Sequence, residues 1–146
     1  MSKGIKLFQS RKSEGQRADG QASSELSQLP RVKAILTVLT RSEGGRRSPF
    51  PDHTDYRPHI VVGDPRQRVT TVGPDGKSTE QYLGINFMGC GRVLMPGQEH
   101  EVEFALVYHP RVDYSEVVKG ATFTVREGGR VVAFGQITDD VHHEGS

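Results

Sequence analysis

The sequence predicts an all-β domain closed into an antiparallel barrel. Three observations carry that expectation. Six or seven short apolar runs follow one another closely, no segment has a convincing helical period, and 17 Gly and 8 Pro punctuate the 146 residues. The clearest unit is 121–139, where the runs 121–125 and 131–137 flank Gly128-Gly129. Glycine takes positive φ without a Cβ clash, so two of them at the centre suit a tight hairpin of the primed kind. On the first arm Ala121, Phe123 and Val125 alternate with Thr122 and Thr124, the period of a half-buried strand. The second arm is apolar enough to be covered on both faces. Arg126 and Glu127 before the turn and Arg130 after it make the expected tip a compact, charged, exposed knob.

Taken in order, the elements begin at Val32. Residues 32–40 (VKAILTVLT) are apolar and β-branched, bounded by Pro30 and by a turn at Glu43-Gly44-Gly45-Arg46. Residues 47–50 and a Pro-containing loop lead to 56–63, which holds Arg57-Pro58 and a short strand at 59–62. The stretch 63–79 carries a weak strand at 68–72 and a turn at Gly73-Pro74-Asp75-Gly76. Strands are expected at 82–88 and 91–95 around Gly89, and Pro96-Gly97 is a good turn dipeptide. Residues 101–108 then alternate, with Val102, Phe104, Leu106 and Tyr108 inward and Glu101 and Glu103 outward. His109-Pro110 ends that strand, and a loop through Lys119-Gly120 leads to the hairpin. Phe104, Leu106, Phe123 and Val125 are the candidate core. Glu43-Gly44-Gly45-Arg46 and Glu127-Gly128-Gly129-Arg130 read as one solution to a turn used twice, too short to indicate duplication.

Composition sets the outer bounds. At 34% hydrophobic residues and no Trp the core is modest, and the net charge of +1 is no argument for nucleic acid. No run of about 18 apolar residues exists, so no membrane span is expected. Lys3 and Lys6 are not followed by an apolar stretch, so secretion is not signalled. The lone Cys90 makes no internal disulfide and no paired metal spacing; a cytoplasmic setting fits. The expected organisation is a flexible polar arm at 1–31, a barrel at 32–138 and a polar tail at 139–146. In the arm, Lys3, Lys6, Arg11, Lys12, Arg17 and Arg31 outnumber Glu14, Asp19 and Glu25, and apolar residues are too sparse to offset the entropy of ordering it. It reads either as a plain leader or as a basic arm for phosphates.

Leu39-Thr40-Arg41-Ser42-Glu43-Gly44-Gly45-Arg46-Arg47-Ser48-Pro49-Phe50 resembles the start of the C-terminal barrel, domain 3, of elongation factor Tu. Tyr56-Arg57-Pro58, Met95-Pro96-Gly97, His109-Pro110 and Phe123-Thr124-Val125-Arg126-Glu127-Gly128-Gly129-Arg130 follow in that family's order, over about residues 32–137. The resemblance implies a closed six-stranded antiparallel barrel of Greek-key order, without catalytic activity. On this resemblance the expectation is a barrel standing without the GTPase domain and second barrel that precede it in elongation factor Tu. It also implies that Glu127 and Gly128 approach a tRNA T-stem, and that the first Glu-Gly-Gly-Arg and Tyr56-Arg57-Pro58 form a face that meets a GTPase domain. The sequence departs from the pattern in two places. Arg47 stands where the family has histidine. Between Arg57-Pro58 and Met95-Pro96 the chain is longer, and the family's strand that carries part of the T-stem contact has no recognisable match in 63–91.

Other chemistry is poorly supported. Gly76-Lys77-Ser78 matches the end of a phosphate-binding loop, but the first glycine of G-x-x-x-x-G-K-S falls on Thr71 and no helix follows. The histidines His53, His59, His100, His109, His142 and His143 have no ligand spacing, so no metal, nucleotide or other cofactor is indicated. Cys90 reads as a buried or semi-buried small residue in a Gly-Cys-Gly bend rather than a nucleophile. Two classes remain: a module that binds RNA, most plausibly a tRNA-like helix, and a module that docks a GTPase or other translation-factor protein. The candidate binding residues are Arg126, Glu127, Gly128 and Arg130 at the last hairpin, with Arg46, Arg47, Arg57, Tyr56 and Phe50 on the other face. Turn geometry alone accounts for the glycines but does not ask for arginine, whose planar fork suits phosphate or carboxylate.

Overall fold

A computed structural model describes residues 28–142. The strands are β1 (Arg31–Val38), β2 (Phe50–His53), β3 (His59–Val62), β4 (Leu83–Phe87), β5 (Cys90–Leu94), β6 (Glu99–Leu106), β7 (Thr122–Glu127) and β8 (Arg130–Ile137). Six of them close a barrel in the order β1-β6-β4-β3-β7-β8, while β2 and β5 form a separate two-stranded sheet. All the pairings between these strands are antiparallel. β3, β4 and β6 lie side by side and β7 crosses back to lie beside β3, which is Greek-key order.

The alternation expected of the strands fills the interior. Val32, Leu36, Ile60, Ile85, Phe104 and Phe123 have no exposed surface. Aromatic rings run in a chain across this core: Phe50 to Phe87 at 5.5 Å, Phe87 to Phe104 at 5.9 Å, and Phe104 to Phe123 at 5.9 Å, each edge to face. Burial of these rings and of the aliphatic side chains around them is the main stabilising term of the fold.

Several expectations are corrected. Residues 68–72 form no strand; Val72 makes only an isolated bridge to Ser78. Tyr108 is 44% exposed, because β6 ends at Leu106 and the chain turns there, with the His109 amide donating to the Leu106 carbonyl. Cys90 is exposed, since β5 lies outside the barrel and shows its first four residues to solvent. Residues 50–53 form a strand despite Pro51, which an outlying two-stranded sheet tolerates because a strand edge there has no ladder bond to lose. β4, at Leu83–Phe87, agrees with the strand expected at 82–88. Most of the expected arm lies outside the described residues, but Arg31 already belongs to β1. Its amide and carbonyl exchange bonds of 2.8 and 2.9 Å with His142, so the described part of the tail is engaged as well.

Candidate binding surface at one end of the barrel

The first Gly-Gly turn is built by the chain that leaves β1. The Leu39 amide donates to the Val132 carbonyl at 3.0 Å, which lays this segment beside the start of β8. Glu43 then folds back on Thr40, accepting from its amide and its hydroxyl at 2.8 Å each. Those two bonds, with the more distant Arg68 cation adding to them, hold the Glu43 carboxyl below its ordinary pKa. Gly44 takes φ 97° and Gly45 is pressed against the Leu39 carbonyl, so an added Cβ would collide with backbone. The last hairpin solves its turn differently. Glu127 pairs with Arg130, and only Gly128 takes positive φ, at 59°, as in a II′ rather than a I′ turn. The two identical tetrapeptides are therefore not the same turn.

They do meet. Arg46 Nε lies 3.1 Å from Glu127 Oε2, and the Tyr56 hydroxyl donates to the same oxygen. The Arg46 guanidinium sits 4.8 Å from the centre of the Tyr56 ring, and its Nη2 donates to Ser48 Oγ at 3.0 Å. Burial, reinforced by the bond to Glu127, pushes the Tyr56 hydroxyl well above its ordinary pKa and keeps it a neutral donor. Arg46, Tyr56 and Glu127 thus weld the two turns together, although Arg46 Nη1 is buried without a hydrogen-bond partner.

Arg126 is the largest departure from expectation. It is wholly buried rather than part of an exposed tip. It lies on the outer face of β7 under residues of the 63–82 segment. Its Nη1 and Nη2 donate to Glu80 Oε1 and Oε2 at 2.8 and 3.2 Å, and its Nε donates to Thr124 Oγ1 at 2.8 Å. This bidentate pair, opposed by burial, holds the Glu80 carboxyl below its ordinary pKa. Phe50 is likewise withdrawn: it is 2% exposed and packs edge to face on Tyr56 at 5.1 Å.

Accessible at this end are several cations and the Glu43 carboxylate folded back on Thr40. Arg47, Arg57 and Arg130 are exposed, as is Gly128, and none of the three arginines has an ion pair among the described residues. Arg57 stands next to the hairpin tip, because β3 runs antiparallel to β7 with His59 opposite Arg126. The structure adds two residues that sequence reasoning did not single out as binding candidates. Arg41, in a 3-10 turn at Arg41–Glu43, is exposed and without an ion pair among the described residues. Arg68, in the 63–82 segment, approaches the same turn. Excess arginine was the only signal for either.

The family model for the elongation factor Tu C-terminal domain matches residues 26–140. The chain belongs to that family. The elongation factor Tu C-terminal domain is a non-catalytic barrel of the translation apparatus, and the closed barrel described above agrees with it. Among the described residues no group of three or more His, Cys, Asp or Glu side chains could hold a metal ion. No helix among them is long and apolar enough to cross a membrane.

Proposed function

We propose that this elongation factor Tu C-terminal-type domain is a non-catalytic, cytoplasmic binding module that takes a tRNA-like RNA helix at the end of the barrel bearing the two Gly-Gly turns. One observation carries the reading. Around those turns the arginines divide into neutralised ones, Arg46 and Arg126, and exposed ones without a carboxylate, Arg47, Arg57 and Arg130. Uncompensated guanidinium groups on a rigid rim suit a phosphate backbone, which they contact bidentately and whose counterions they release. A protein interface on the same face would want aromatic anchors. The two candidates, Phe50 and Tyr56, are respectively in the core and half-buried against Arg46. That leaves charge rather than apolar area for a ligand.

The test is fluorescence anisotropy with a labelled, unmodified tRNA transcript across a salt series. Log K should fall by about 0.7–0.9 per phosphate contact for each unit of log salt. Arg47→Ala with Arg57→Ala should weaken binding and flatten that slope. Absence of binding, or binding indifferent to salt, would overturn the reading. A ribonuclease-resistant complex with a GTPase or another translation factor would replace it with protein docking.

A further inference from the structure

Residues 63–82 leave the barrel after β3 and return to it as β4. This excursion covers the outer face of β7 and, beyond the Gly63–Thr122 hydrogen bonds at its base, is fastened by hydrogen bonds at two points. One is the buried Arg126–Glu80 pair. The other lies at the hairpin tip, where the Thr70 hydroxyl donates to the Gly129 carbonyl at 2.8 Å. Inside the excursion a small hairpin closes on itself, with Gly73 donating to Lys77 at 2.8 Å and Thr79 to Thr71 at 3.1 Å. The excursion is therefore a shaped limb beside the cationic rim.

Arg68 is its fixed cation. Its guanidinium lies 5.0 Å from the centre of the Phe134 ring on β8. Nη1 donates to the carbonyls of Pro65 and Gln67 at 2.7 and 2.8 Å. Both partners are uncharged; the Asp64 and Glu43 carboxylates feel its charge, but among the described residues neither forms an ion pair with it. An arginine has five N–H donors, so the Nε and Nη2 edge, with three of them, remains free, the fork that matches two oxygens of one phosphate. A guanidinium already held by two carbonyls and an aromatic face loses less freedom on binding than a loose one.

We propose that the 63–82 excursion is a second limb of the RNA surface, in which Arg68 takes a backbone phosphate of the same RNA that Arg47, Arg57 and Arg130 engage. This rests on the RNA reading above. The tRNA transcript and salt series used there also test it, with Arg68→Ala, Arg68→Lys and, as a control in another loop, Arg111→Ala. Arg68→Ala should weaken binding and reduce the salt slope by about 0.7–0.9, one phosphate's worth. Arg68→Lys should keep the slope and lose affinity, because the charge stays and the fork goes. Arg111→Ala should change neither. If Arg68→Ala leaves the slope intact while Arg47→Ala with Arg57→Ala flattens it, the second limb is wrong and the RNA reading stands. If the unmodified protein shows no salt-dependent binding, both fall together.

Discussion

The arginines near the two Gly-Gly turns carry the same charge and do different work, and their partners decide which. Arg126 has no exposed surface and Glu80, its partner, is only 10% exposed. Removing one member of a buried pair strands the other, so Arg126→Ala should cost about 3–5 kcal/mol in urea unfolding. Arg57→Ala, at an exposed position without an ion pair, should stay within about 0.5 kcal/mol in the same measurement. Arg46→Ala falls between them, since it releases Glu127 and uncovers Tyr56. The pair also sets a pH dependence. The folded pKa of Glu80 is depressed, so its contribution is complete above the unfolded value, about 4.3, and is lost as pH falls through the lower folded value. Unfolding measured from pH 7 to pH 3 should show a fall in stability that is smaller in Glu80→Gln; identical profiles would mean that the pair contributes nothing. None of this was legible in the sequence. Arg126 stands in a charged run beside a turn, and the carboxylate that pairs with it lies 46 residues upstream, between the strands expected at 68–72 and 82–88.

At the scale of elements, what was legible depended on whether a strand has one buried face or two. In β6 the alternation of Val102, Phe104 and Leu106 against Glu101 and Glu103 identified the strand and its inward face. In β7 the same reasoning found the strand and the inward Phe123 and Val125. It took Thr124 and Arg126 for solvent-facing, because no local pattern records that a distant excursion covers the outer face. The turns show a similar limit: identical tetrapeptides announced two turns but not their geometry. Gly45→Ala would drive a Cβ into the Leu39 carbonyl, and Gly128→Ala would place an alanine at φ 59°. Gly129→Ala meets only the Thr70 hydroxyl, at 3.4 Å. Thermal unfolding should therefore rank the three, with Gly45→Ala the most damaging, Gly128→Ala costing about 1–2 kcal/mol and Gly129→Ala nearly neutral. Equal losses at Gly128 and Gly129 would show that the hairpin needs positive φ at both.

The whole barrel is closed by its first strand. β1 pairs with β6 along one edge and with β8 along the other, so the ring is complete only when segments far apart in sequence have come together. The ring stays closed only while all six strands are in place, which makes a single cooperative transition the expected mode of unfolding. The aromatic chain couples other strands of the ring from inside, since Phe87, Phe104 and Phe123 come from β4, β6 and β7. Phe104→Ala and Phe123→Ala should each cost about 3–5 kcal/mol, the range for a buried phenylalanine. Their rings touch edge to face at 5.9 Å, so the double variant should lose less than the sum, by about 0.5–1.5 kcal/mol. The cycle needs a host stable enough to survive both losses, and a stabilising osmolyte would supply the margin. Strict additivity would mean that the two rings pack against separate surroundings and that the core is divided. A second unfolding transition in either single variant would mean that β1 does not hold the two halves of the ring as one unit.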